Sequence, residues 1–169
     1  MAIQFKTFPK GSLIGSGTYK FRHYGQEQPA SLPWLCFTAQ ESNSTIKMAV
    51  NGSPTKGQAF ETSADGTTWE EFIPGTTTIT LANVGDKVYF RGDNTTVSES
   101  NKIYYKYVMS GKIAASGNVM SLIDKSRQRT DVPNNCYYSM FQGCTSLTAP
   151  PELPATTLAN NCYYSMFKG

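Results

Sequence analysis

The chain has 169 residues, of which 39% are hydrophobic and only 16% are charged. This length fits one large domain or two small ones, and the charged fraction is below the roughly 25% that is typical of soluble domains. The net charge of +3 does not indicate a nucleic-acid partner, because phosphate binding needs a broad basic face. The basic segment 124–129 is interpreted as a solvated linker.

The beginning of the chain, MAIQFKTFPKG, lacks the charged and apolar regions of a secretory signal peptide. No stretch approaches the roughly 20 apolar residues that a transmembrane helix requires. We therefore expect a protein that is made in a cytoplasm, is not exported by the usual route and does not insert into a membrane.

Two early strands are predicted at residues 3–8 and 18–24, because β-branched and aromatic runs there are bounded by turn residues. Further strands are predicted at residues 34–39, 45–50, 59–72, 77–82 and 87–92. Apolar residues alternate with other residues in the last two, which is typical of half-buried strands. The sequence thus predicts an arm with the first strands at residues 1–33 and a β-sandwich-like module at residues 34–112.

The segment SADGTTW, residues 63–69, resembles the Asp-box of sialidases, with one residue fewer before the glycine. Ser63 and Asp65 are predicted to bond the local backbone, and Asp65 and Gly66 to form a type I′ turn. Trp69 is predicted to anchor this hairpin in the core. The interpretation is structural, as it is for the box in sialidases.

Residues suited to catalysis or metal binding are sparse. Glu70 and Glu71 are adjacent, so on a strand they face opposite sides and cannot flank one scissile bond, as a glycosidase requires. The RGD tripeptide at residues 91–93 is interpreted as a turn after a strand. We therefore predict a protein that is not an enzyme.

Cysteine usage argues against a zinc site, because the chain has no CxxC pair and His23 is its single histidine. Cysteine also behaves as a small buried hydrophobe. We expect no cofactor and reduced, buried thiols. The cysteines are Cys36, Cys136, Cys144 and Cys162.

After a predicted connector at residues 113–133, one decapeptide occurs twice. NNCYYSMFQG occupies residues 134–143 and NNCYYSMFKG occupies residues 160–169, and they differ only at Gln142 and Lys168. Their spacing of 26 residues lies within the 20–29 residues of leucine-rich repeats. Each copy is predicted to form one or two helical turns, with asparagine as the N-cap and glycine as the C-cap.

A short strand is predicted next, at residues 144–148, followed by an extended proline-rich return at residues 149–158. These three parts make one coil of a solenoid, so residues 134–169 are predicted to be one and a half leucine-rich-type repeats. A solenoid normally needs about three repeats. We expect either that the natural chain continues or that another subunit covers the last coil.

The segment MFQGCTSL, residues 140–147, resembles the core of BspA-type leucine-rich repeats. The phrase LPATTLANNCYYSMF is similar to repeats in surface and phage proteins of gut Bacteroidales, and the similarity extends over residues 34–169. It implies a phage virion protein of the fibre, tail or head-decoration type, or alternatively a bacterial cell-surface adhesin. It also implies that residues 1–33 dock on other virion proteins and that the protein is a homo-oligomer, a trimer by analogy with fibres.

Tyrosine pairs recur in both copies, as Tyr137 with Tyr138 and Tyr163 with Tyr164. Stacked repeats are expected to display such rings as a ladder, and exposed tyrosine suits protein partners and sugar faces. We predict these four residues as a surface that binds a host glycan or protein. The alternative is that the rings pack between coils.

Overall fold

The computed structural model describes residues 33–169, which contain eleven β-strands, one short 3₁₀ helix and no α-helix. The expectation of a mainly β chain is confirmed, and the strands form several sheets. The predicted strands at residues 3–8 and 18–24, His23 and nearly all of the predicted docking arm lie outside the described residues. No helix within residues 33–169 is long and apolar enough to cross a membrane.

A six-stranded sheet forms the larger layer. Its strands are β1 (Leu35–Ala39), β3 (Phe60–Ser63), β4 (Glu70–Phe72), β6 (Lys87–Gly92), β8 (Ile113–Ser116) and β10 (Leu147–Ala149). Their order across the sheet is β10-β8-β1-β6-β3-β4. Every neighbouring pair is antiparallel except β10 with β8, which is parallel.

The remaining strands form two smaller sheets. The antiparallel one consists of β2 (Ser44–Asn51), β5 (Thr78–Leu81) and β7 (Tyr104–Ser110), in the order β5-β2-β7. The other is a parallel pair of β9 (Asp131–Val132) and β11 (Thr157–Leu158).

The core lies between the six-stranded and the three-stranded sheets. Alternation produces the two faces: Ile46 and Met48 of β2 are buried while Lys47 between them is exposed. The Tyr107 ring of the smaller sheet lies with its centroid 4.9 Å from that of Phe37 in the larger one. Such edge-to-face aromatic contacts add to the burial of the rings themselves.

The predicted connector at residues 113–133 is in large part an element of the core. Strand β8 lies inside the six-stranded sheet, and all four residues of the 3₁₀ helix Val119–Leu122 are buried. The Ser121 hydroxyl accepts a hydrogen bond from the Leu35 N–H at 3.1 Å. Because β10 of the repeat region pairs with β8, the repeats are continuous with the sheet.

The two decapeptides do not form the predicted helical turns. Each is a series of tight turns, in which Asn135 and Ser139 have φ of 57° and 52°, and Asn161 and Ser165 have φ of 56° and 52°. An α-helix needs φ near −63° at every residue, so positive φ at every fourth position excludes it. Gly143, at φ 74°, continues this period and is not a helix cap.

Candidate functional site

The second decapeptide lies on the first in parallel register. Alternate N–H groups of the first copy donate to carbonyl oxygens of the second over 2.8–3.0 Å: Asn135 to Asn160, Tyr137 to Cys162, Ser139 to Tyr164, Phe141 to Met166 and Gly143 to Lys168. The intervening N–H groups close turns within each copy. Strands β9 and β11 pair one repeat apart, so the same stacking already begins there.

Identical side chains therefore lie over one another. The ring centroids of Tyr137 and Tyr163 are 5.5 Å apart, those of Tyr138 and Tyr164 are 5.3 Å apart, and those of Phe141 and Phe167 are 5.4 Å apart. Each pair is within 13° of parallel. The sequence repeat thus produces three stacks of rings. One stack is internal, and the other two extend to the surface.

The internal stack consists of Tyr137 and Tyr163. Tyr137 is fully buried, and its hydroxyl donates to the Val119 carbonyl oxygen at 3.0 Å. Burial raises the pKa of both phenols above the ordinary value. A fully buried ring cannot contact a partner, so the prediction that Tyr137 belongs to a binding surface is wrong. Tyr163, which is stacked on Tyr137, is half-buried.

The surface stack, which we call the outer tyrosine ladder, consists of Tyr104, Tyr138 and Tyr164. The Tyr104 ring of β7 lies 5.4 Å from that of Tyr138, so the ladder begins on the three-stranded sheet and continues through both copies. Tyr138 is half-buried and contacts two rings: it is stacked within 13° of parallel on Tyr164 and is tilted by 57° to Tyr104. Tyr164 is 55% exposed and keeps one ring face free.

Tyr104 was missed by the sequence reasoning. A signal for it exists, because Tyr105 and Tyr107 follow it on a strand in which Tyr105 and Tyr107 are buried and Tyr104 is not. Period-2 alternation therefore places the Tyr104 ring on the outer face of the sheet. The signal does not indicate which rings it meets there.

The hairpin at residues 63–69 joins β3 to β4 through Asp65. Its carboxylate accepts the N–H groups of Thr67 and Thr68, both at 2.7 Å, and the Ser63 hydroxyl at 2.8 Å. Hydrogen bonds from the Thr68 and Thr67 backbone hold the pKa of Asp65 well below its usual value. Gly66 has φ of 76° but Asp65 does not have positive φ, so the turn is not of the predicted type I′.

Trp69 does not anchor this hairpin in the core. It is half-buried on the outer face of the six-stranded sheet, where its ring lies edge-on to Trp34 at 5.2 Å. The Arg91 guanidinium lies 4.0 Å from the Trp69 ring centroid, a cation–π distance. Trp69 lies outside the core because the strand register places Arg91 beside the end of the hairpin, where its guanidinium contacts the Trp69 ring.

The RGD tripeptide lies partly in β6 and is not a free turn. Arg91 is bonded to Glu61 as well as stacked on Trp69, and the hydrogen bond from Arg91, with a second from Lys125, lowers the pKa of Glu61. A Cβ on Gly92 would lie 2.6 Å from the Leu122 carbonyl oxygen. Packing within the sheet thus explains why arginine stands at position 91 and glycine at position 92.

The four cysteines are free thiols. Three are buried and Cys144 is half-buried. Burial raises the pKa of Cys136 and of Cys144 to about 11, so both are protonated at neutral pH. Within residues 33–169, no group of three or more histidine, cysteine or acidic side chains could hold a metal ion.

Three acidic residues line one open cleft of about 530 Å³ between β3, β5 and β6. Its walls include Asp65, Glu70 and Asp86, but the Asp65 carboxylate already accepts hydrogen bonds from the backbone of its own hairpin.

Comparison with protein-family profiles, curated proteins and solved structures finds no match for this chain. The outer tyrosine ladder is therefore the candidate site that its own geometry supports best.

Proposed function

We propose that this chain is a non-enzymatic structural protein that binds a partner through its stacked repeats. The observation that carries the proposal is the outer tyrosine ladder, in which one strand and both repeat copies bring three rings together at the surface. Tyrosine is enriched at recognition surfaces because it combines a large apolar area with a hydroxyl and few rotatable bonds.

The geometry also specifies how a partner approaches. The face of Tyr138 that Tyr164 covers cannot stack on a sugar or an apolar side chain. A partner reaches the edge of the ladder, where the ring centroids of Tyr138 and Tyr164 are 5.3 Å apart and each ring carries a hydroxyl. A host-surface glycan or an extended polypeptide has hydrogen-bonding groups that these hydroxyls can bind.

The setting that we propose is the virion of a phage of gut Bacteroidales, as a fibre, tail or head-decoration protein. The likeness of the repeat phrase to BspA-type leucine-rich repeats supports it, and the parallel stacking of the two copies accords with the first coils of such a solenoid. In this setting a β-sandwich-like module carries the repeats, residues 1–33 dock on other virion proteins and the protein is a homo-oligomer, a trimer by analogy. A bacterial cell-surface adhesin is the alternative, since it would use the same ladder.

Binding to host cells tests the ladder. The double variant Tyr138→Ala/Tyr164→Ala should bind at least about tenfold more weakly, since aromatic residues at recognition sites commonly contribute more than 1 kcal/mol each. Tyr89→Ala is the matched control, because this half-buried tyrosine lies on β6 outside the ladder and its loss should leave binding unchanged. Unaltered binding by a folded double variant would remove the ladder as the contact surface.

Mass spectrometry of purified particles separates the two settings. We expect peptides of this chain in virions, in a stoichiometry that remains constant through repeated density gradients. Detection only in the envelope of uninfected bacteria would overturn the virion proposal and favour the adhesin.

A further inference from the structure

One edge of strand β5 is unpaired within the part of the chain that the structure describes. The strand is the last one of the sheet β5-β2-β7 and pairs with β2 on its other side. Where β5 ends, the Asn43 N–H donates to the Ala82 carbonyl oxygen at 3.1 Å. Successive residues of an antiparallel strand direct their backbone groups to opposite sides, so the N–H and C=O groups of Ile79 and Leu81 point away from β2. These two donors and two acceptors form the free edge of β5.

The amino acids of this edge favour the addition of another strand. Residues 76–83, TTTITLAN, contain no charged residue and no proline, and threonine and isoleucine favour extended backbone. Natural edge strands are commonly protected from pairing by charges, proline or a bulge. Strand β4, at the edge of the larger sheet, carries Glu70 and Glu71 and is followed by Pro74. Strand β5 has no such protection, so its edge can accept a partner strand.

The open cleft of about 530 Å³ adjoins the free edge of β5. Ile79 and Leu81 line it from the smaller sheet and Val88 lines it from the larger one, so part of its surface is apolar. Ile79 and Leu81 are also the less exposed residues of β5 and face inward. Side chains of an added strand that share this face would therefore point to the cleft.

The charges around the cleft determine which strand fits. Among its lining residues one is basic, Lys87, and three are acidic: Asp65, Glu70 and Asp86. Glu70 faces the inner side of the larger sheet, because its register partner Thr62 also pairs with the core residue Phe90. An inward-facing carboxylate beside a free strand edge attracts a cationic side chain of the strand that is added there.

We propose that the free edge of β5 is a docking site for an extended polypeptide segment with lysine or arginine at alternate positions. The segment pairs with the backbone groups of Ile79 and Leu81, which is strand addition. Its basic side chains lay their aliphatic stems on the apolar surface of the cleft and direct their charges to the carboxylates. A second copy of β5 would bring another acidic cleft and no cation, so charge favours a basic partner. The inference is independent of the outer tyrosine ladder and of the virion setting.

Amide exchange of the full chain with a synthetic peptide tests the proposal. The end-capped peptide TKTKTKT, present at about ten times its dissociation constant, should slow exchange of the Ile79 and Leu81 N–H groups about tenfold. The N–H groups of Thr78 and Thr80 point to β2 and should change little. Two peptides are controls and should protect neither group: TETETET reverses the charge, and TKTKTKT with N-methylated lysine amides keeps the charge but loses the backbone donors.

Two neighbouring glutamates give a matched test of the charge. Both are exposed on β4, but Glu70 lines the cleft and Glu71 does not. Glu70→Lys should weaken binding of fluorescently labelled TKTKTKT at least about tenfold, because it places a like charge beside the peptide. Glu71→Lys makes the same change on the opposite face of the strand and should leave binding unchanged. Raising the salt concentration should weaken binding to the unaltered protein.

Three results would overturn the proposal. One is unchanged exchange of the Ile79 and Leu81 N–H groups at millimolar TKTKTKT. A second is equal protection by TETETET, or equal weakening by the two glutamate variants, since either would show that the acidic cleft does not select the partner. The third is self-association in sedimentation with protection of the same two amides in the absence of peptide, which would show that the occupant is another copy of this chain.

Discussion

Deleting the same hydroxyl from two repeat-equivalent rings should destabilise the protein at one position and not at the other. In Tyr137→Phe a buried hydrogen bond to the Val119 carbonyl is lost, and we expect a loss of about 1–2 kcal/mol in the free energy of unfolding. In Tyr163→Phe the deleted hydroxyl is buried and, within residues 33–169, has no hydrogen-bond partner. Removing a desolvated, unpaired group should be neutral or add up to about 1 kcal/mol.

Urea unfolding in reducing buffer measures both effects. With a slope of about 2 kcal/mol/M, a loss of about 1.5 kcal/mol lowers the unfolding midpoint by about 0.8 M. The slope itself should not change, since neither variant alters the surface that unfolding exposes. Equal destabilisation by the two variants would refute the reasoning, because it would mean that the Tyr163 hydroxyl is as well bonded as that of Tyr137.

Gly117→Ala should lower stability by more than about 2 kcal/mol, measured as a fall in melting temperature, because Gly117 has φ of 66° and a Cβ would overlap the Trp34 carbonyl. The lowered pKa of Asp65 means that its contribution is present above the unfolded pKa and is lost as the pH falls through the lower folded pKa. Amide shifts of the hairpin should therefore stay constant from pH 7 to about pH 4 and change only below it, and Asp65→Asn should abolish that change. Burial of Cys136 and Cys144 and their raised pKa should make alkylation at pH 8 far slower in the native protein than in urea, as mass spectrometry would show.

Most strands of the two larger sheets were predictable because their pattern is local, but β8 was not, since residues 113–133 were predicted to be a connector. In β6, Val88 and Phe90 are buried and the residues between and after them are not fully buried, apart from the closely packed Gly92. That alternation is visible in the sequence and depends on no other part of the chain. Strand pairing is different: β8 lies between β1 and β10, and nothing within Ile113–Ser116 indicates either neighbour.

The decapeptides were mispredicted because their conformation is set by contacts between copies. Cys136, Met140 and Phe141 are buried, as their apolar character indicates, and their spacing fits a helix as well as a chain of turns. What excludes the helix is positive φ at Ser139, which serine does not favour locally. That residue is held by its N–H bond to Tyr164, one repeat away.

The candidate site was predictable only in part, because it too depends on contacts between distant segments. Tyr138 and Tyr164 lie at the surface as expected, but the division between an inner and an outer stack depends on which way each turn faces. Trp69 likewise lies outside the core because Arg91, on another strand, provides a partner there. The sequence identifies the aromatic residues, and the register of distant segments decides their surroundings.

Left-handed residues in the stack have a consequence for the order of folding. An L-residue at positive φ is disfavoured by roughly 1–2 kcal/mol, and each layer contains two non-glycine residues in that state, as Asn135 and Ser139 do in the first. We therefore expect a single layer to be unstable in isolation and to become stable against a layer that is already formed. Because the sheets hold the first layer and the first holds the second, we expect folding to spread outward from the sheets, in the same direction in which a ribosome delivers the chain.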